Sequence, residues 1–154
     1  MIHDKTIRVG ACEWDHPQWL SHFYPDDLPE DWRLTYYANV FSTVLVPEAK
    51  WQAENVDFEQ WAEDVPDSFR FYFLSENVAA DDAKIKAQLG DLFAGFVAPT
   101  GNDEIALRHV KEKNLREWKA WLLQANYRVI FFMDDDLRVA QLSEFKSLVE
   151  LMGL

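Results

Sequence analysis

Ile7-Arg8-Val9-Gly10-Ala11-Cys12, running into Glu13-Trp14-Asp15-His16-Pro17-Gln18-Trp19, is the stretch whose reading decides the fold. A β-prone run passes through a glycine into a loop dense in aromatic residues and prolines: Trp14, Pro17, Trp19, Phe23, Tyr24, Pro25, Leu28 and Pro29. Residues 31–41 then place Leu34, Tyr37, Ala38 and Phe41 at i, i+3, i+4 and i+7, the single apolar stripe of an amphipathic helix. A β-branched run at 42–46 follows and stops at Pro47. Strand, elaborate loop, helix and second strand is how an α/β protein with a parallel sheet begins.

The same alternation continues. Residues 56–64 read as a helix capped by Asn55, with Phe58, Trp61 and Ala62 facing inward, and Pro66-Asp67 ends it. At 69–74 aromatic side chains nearly fill both faces, as in a buried parallel strand. A helix is expected at 81–89 on Ile85 and Leu89, and a strand at 93–98, closed by Pro99-Thr100-Gly101. Asn114 and Glu117 have capping-box spacing, and Leu115, Trp118, Leu122 and Ala125 follow at helical spacing. A strand at 128–133 and a helix at 141–152 close the pattern; that helix buries Leu142, Phe145, Val149 and Met152, and Gly153 suits its C-cap. The reading is about five β-α units in a single α/β domain over residues 1–154, with a parallel sheet and right-handed crossovers. A doubly wound open sheet and part of a (β/α) barrel both fit this pattern.

Almost half of the 154 residues are hydrophobic, with seven Trp and eleven Phe, which supports a sizeable core and argues against disorder. The longest apolar stretches are far too short to span a bilayer, so no membrane partner is expected. Residues 1–6 are polar with no apolar signal core, and Cys12 is the single cysteine; a cytoplasmic location is expected. Net charge is −12, from 15 basic and 27 acidic residues, which repels a phosphate backbone over most of the surface and disfavours nucleic acid as a partner. The acids are scattered rather than gathered in one tract, so they serve solubility first and the docking of a basic protein partner second. The one basic tract, Arg108, His109, Lys111, Lys113, Arg116 and Lys119, reads as a solvated face balancing nearby acids.

The chain resembles the YecE-like family, bacterial and archaeal proteins of unknown function with a TIM-barrel-like fold. The resemblance is carried by Ile7-Arg8-Val9-Gly10 with Trp14, Pro17 and Trp19, then Phe23-Tyr24-Pro25 with Leu28-Pro29. Tyr36-Tyr37-Ala38 with Phe41, Thr43 and Val44 continue it, followed by Trp61-Ala62, Val65-Pro66-Asp67 and Phe69-Arg70-Phe71. Three departures stand out. Leu45 and Pro47 hold places where the family has an inward Glu and Asn. Leu74 stands where it has a Lys, and Ala11-Cys12-Glu13 replaces a small Thr-Ser-Gly run. A full barrel needs eight strands and at least ~200 residues. The resemblance therefore implies a shortened, diverged relative, a partial or truncated TIM-barrel-like sheet. Its open edges are expected to be covered by a second copy, making a homo-oligomer.

In such sheets ligands bind at the C-terminal ends of the strands. That rule selects Cys12, Glu13, Trp14 and His16, then Glu48, then Ser75, Glu76 and Asn77, then Thr100 and Asn102, then Asp134, Asp135 and Asp136. Glu13, His16, Glu48, Glu76 and Asp134 are the candidate catalytic residues. Carboxylates with one imidazole suit a divalent metal such as Mn, Mg or Zn, and a paired acid can act as general base. Acids at strand ends also cap the next helix, Asp136 among them. Cys12 is a nucleophile only if a base such as His16 sits beside it. Trp14, Trp19 and Tyr24 are candidates to stack a ligand, or else plug one end of the sheet. No Gly-rich phosphate loop, nucleophile elbow, His-Glu-x-x-His or zinc-type cysteine pair occurs. The favoured expectation is a non-catalytic or degraded binding or scaffold domain. The alternative is a metal-dependent TIM-barrel-type hydrolase or nuclease-like enzyme using the strand-end carboxylates.

Overall fold

A computed structural model describes residues 7–77 and 83–154. Its strands are β1 (Arg8–Cys12), β2 (Thr43–Val46), β3 (Arg70–Leu74), β4 (Phe93–Val97), β5 (Ile105–Arg108) and β6 (Val129–Phe132). The helices are α1 (Arg33–Ala38), α2 (Glu48–Trp51), α3 (Phe58–Asp64), α4 (Ala83–Leu89), α5 (Leu115–Gln124) and α6 (Val139–Leu151). All strand pairs are parallel, in the order β4-β3-β2-β1-β6-β5, and the sheet curls into a half-barrel with the helices outside. The expected α/β class and partial barrel are thus what the chain forms.

The strand order is informative. The first four strands step away from β1 in one direction, and the last two lie on its other side. A closed eight-stranded barrel would read this way if its fifth and sixth β-α units were removed. The link across the gap, 98–104, carries no helix, unlike a usual parallel crossover.

Alternation along the strands divides the core in two. Val9, Ala11, Val44, Val46, Phe71, Phe73, Ala106, Ile130 and Phe132 face the helices and join Leu34, Tyr37, Trp118, Leu122, Leu142 and Phe145. On the concave side Leu45, Val97, Ile105, Val129 and Phe131 meet one another, with Cys12, Tyr72, Leu74, Leu107 and Met133 against them. The barrel interior is an apolar fill.

Two elements are absent from the sequence expectation. β5 is four residues long and lies between polar neighbours. α2 is a single turn after Pro47. The expected 56–64 helix starts later, at Phe58, because the Asp57 carboxylate and not Asn55 caps it by accepting from Gln60 N. Asp81 and Asp82, where the third helix was expected to start, lie outside the described residues. The Asn114–Glu117 capping box forms as expected, and Gly153 ends α6 at φ 73°. Asp136 does not cap α6; its carboxylate pairs with Lys111 at 2.9 Å on the surface.

β1 and β2 are joined through a side chain. The hydroxyl of the fully buried Tyr37 donates to Thr43 O at 2.7 Å and accepts from Ala11 N at 3.0 Å, so it stands between two strands as a ladder partner. Next to it Gly10 lies so near Thr43 that an added Cβ would sit 2.4 Å from that carbonyl oxygen.

Both sheet edges are blunted within the chain. β4 pairs Phe93 and Gly95 with successive residues of β3, leaving Ala94 as a bulge, and Gly95 has φ 135°. Bulges on edge strands turn pairing groups away from a further strand. On β5 the outward Ile105 carbonyl already accepts from Asn102 N at 3.0 Å, and the turn at Gly101 packs on it.

Two outcomes are expected. Replacing Tyr37 by Phe strands a buried N–H and a buried carbonyl, at about 2–4 kcal/mol of stability in urea unfolding. A loss under about 0.5 kcal/mol would mean the hydroxyl is dispensable. Sedimentation velocity is expected to show a monomer with no rise in mass as concentration increases; a dimer would mean the edges still recruit a second copy.

Candidate functional site

Glu13 leaves β1 with left-handed backbone, φ 75°, and its carboxylate folds back to accept from Trp14 N at 2.8 Å and Asp15 N at 3.2 Å. This turn points Glu13 and Asp15 at the same place, which Lys50 of α2 fills. Its Nζ lies 3.0 Å from Glu13 Oε2 and 3.0 Å from Asp15 Oδ2, and 4.3 Å above the Trp14 ring. Arg33 of α1 holds the other Asp15 oxygen at 3.2 Å. Two acids and two bases therefore neutralise one another at the rim.

The remaining strand-end acids sit in separate contacts. Glu48 Oε2 lies 3.4 Å from the Ser75 hydroxyl and accepts from Gln52 at 3.3 Å. Glu76 is exposed, without an ion pair among the described residues. Asp134 is buried and accepts from Val110 N at 2.9 Å, closing the turn after β5. Among the described residues no three His, Cys, Asp or Glu side chains gather as metal ligands.

His16 is held by backbone. Nε2 donates to Cys12 O at 2.8 Å, and Nδ1 lies 3.3 Å from the Gln18 amide nitrogen. The imidazole thus bonds the Cys12 carbonyl, with no hydrogen bond to its sulfur. Burial, then the nearby charges of Glu13 and Asp135, pushes the Cys12 thiol up to about 12. A thiol in that state is a packing group.

The three aromatic candidates separate. Trp19 and Tyr24 are each 1 % exposed; the indole donates to Leu137 O at 2.8 Å and the phenol to Trp14 O at 2.5 Å. Their faces are covered by the core layer behind the sheet, so they cannot stack a ligand, which corrects the stacking expectation for both. Trp14 is also buried, but it forms the floor of a groove of about 630 Å³ beside the rim. Trp61 meets it edge-on at 5.0 Å, and Trp32 stands at the groove mouth, 62 % exposed. Asp15, Glu30, Asp31, Asp57 and Asp64 line the same groove, against one base, Lys50. Trp32 escaped the sequence reading, although it lies off the Leu34–Tyr37–Ala38–Phe41 stripe, the position from which an aromatic side chain points to solvent.

A family model described as "Protein of unknown function DUF72" matches residues 8–99, more than half of the chain, and this is the YecE-like family that the sequence motifs resemble. No curated protein and no solved structure matches. The matched segment runs from β1 through β4 and ends where the helix-free link begins. Among the described residues no helix is long and apolar enough to cross a membrane.

The thiol state has a direct readout. Cys12 is expected to resist iodoacetamide at pH 8 in the folded protein and to react at once in urea. Because its folded value lies above the ordinary 9.0, its contribution to stability is full below pH 9 and fades as pH rises toward 12. Rapid alkylation of the native protein at pH 8 would restore the nucleophile reading.

Proposed function

The chain belongs to the DUF72 family of proteins of unknown function, and we propose that it is a binding domain, not a catalyst, which takes a basic segment of a partner protein in the groove of Trp14, Trp32 and Trp61. The observation that carries this reading is the contrast between the rim and the groove. At the rim, where barrel enzymes keep free polar groups, Glu13, Asp15, Lys50 and Arg33 are spent on each other and the interior behind them is apolar. In the groove, Glu30 and Asp31 have no ion pair among the described residues and flank an exposed indole. Lysine and arginine side chains are suited to both features, pairing with the carboxylates and lying over the ring face. Lys50 over Trp14 already forms such a contact inside the chain.

Titration calorimetry with a lysine- and arginine-rich peptide tests this. Saturable binding that weakens as salt rises is expected, with Trp32→Ala costing about tenfold in affinity. Binding unchanged by Trp32→Ala, or no binding at low salt, would refute the groove as the site.

A further inference from the structure

The opposite end of the sheet carries a different site. A cavity of about 530 Å³ opens at the N-terminal ends of the strands, lined by the first residues of β1, β3, β5 and β6. Three arginines border it: Arg8, Arg70 and Arg128. In a chain of net charge −12 their meeting is unusual, and the acids do not resolve it. Neither Arg8 nor Arg70 has a carboxylate within ion-pair distance among the described residues. Arg128 reaches Glu104 at 3.9 Å, with both side chains mostly exposed. Glu104 is the one carboxylate among the residues lining the cavity.

Arg8 and Arg70 are positioned through one nitrogen each. Arg8 Nη1 donates to Ser42 O at 3.1 Å and Ser68 O at 2.8 Å, and Arg70 Nη1 donates to Asp67 O at 2.7 Å and Phe69 O at 2.8 Å. These bonds fix both guanidiniums at strand starts, and their other N–H groups have no protein partner among the described residues. The repulsion between them registers in Arg8, whose proton affinity is lowered by burial and then by the Arg70 charge. All three arginine charges also act on the half-buried Tyr72 hydroxyl, countering the upward push of its burial. Two guanidiniums fixed at strand starts, with a third beside the same open space, form the arrangement of planar donors that recognises a multivalent oxyanion.

We propose that this cavity binds a phosphate-bearing small molecule, with Arg8, Arg70 and Arg128 on the anionic oxygens and Tyr72 and Asn102 as neutral donors beside them. The site lies apart from the aromatic groove and does not depend on it.

Isothermal calorimetry with inorganic pyrophosphate at low ionic strength is the test. One saturable site per chain is expected. Arg128→Gln should weaken it about tenfold, as loss of a charge-assisted contact does, and Glu104→Gln should tighten it. Both residues are well exposed, so these variants keep the fold even if Arg8→Gln or Arg70→Gln, which lose strand-start bonds, do not. No saturable binding, or equal affinity in wild type, Arg128→Gln and Glu104→Gln, would overturn the proposal.

Discussion

Everything in this fold leans on the Tyr37 hydroxyl between β1 and β2. Gly10 and Thr43 approach so closely there that a side chain at position 10 would strike the Thr43 carbonyl, and the phenol supplies the pairing that Ala11 N and Thr43 O need. Its ring then organises the layer behind the sheet. Trp19 stacks on it at 6.1 Å, Phe41 lies at 5.1 Å and Phe69 meets it edge-on at 6.3 Å. Trp19 in turn ties the first loop to Leu137, ahead of α6. One buried polar group thus links the first two strands, the first helix and the approach to the last helix. Burial holds the phenol in the protonated form that lets it donate as well as accept.

The apolar interior and the six-stranded sheet answer to one constraint. In a six-stranded curl the opposite inner faces come together, as the Tyr72–Phe131 ring contact at 5.5 Å shows. An inward Glu or Lys at positions 45 or 74 would be buried there without water, and an unpaired buried charge costs far more than one packing contact returns. Leu45 and Leu74 instead join the inner apolar cluster, and Pro47 starts α2. The family match points the same way. It covers β1 to β4 and stops at the link, so the shared framework is the part of the sheet that precedes the gap.

Much of this was legible in the sequence because it is local. The Leu34–Tyr37–Ala38–Phe41 stripe, the aromatic strand at 70–74 and the Asn114–Glu117 box each report on neighbours a few residues away, and each forms. β5 was not legible, since four residues give no alternation to count, and its strand character comes from pairing with β6. The candidate site was legible as a set of positions but not as chemistry. Glu13 was visible as an acid and Asp15 was not singled out, and the neutralisation of both by Lys50 and Arg33 depends on α1 and α2 turning toward the rim. For the same reason three arginines scattered at positions 8, 70 and 128 carried no signal until parallel strands brought their starting residues to one end.

A parallel sheet makes that gathering systematic. Every strand begins at one end and finishes at the other, so residue types placed at strand starts and strand ends are sorted into two surfaces. Here the sorting separates charge: arginines border the N-terminal mouth, while acids crowd the groove beside the C-terminal rim.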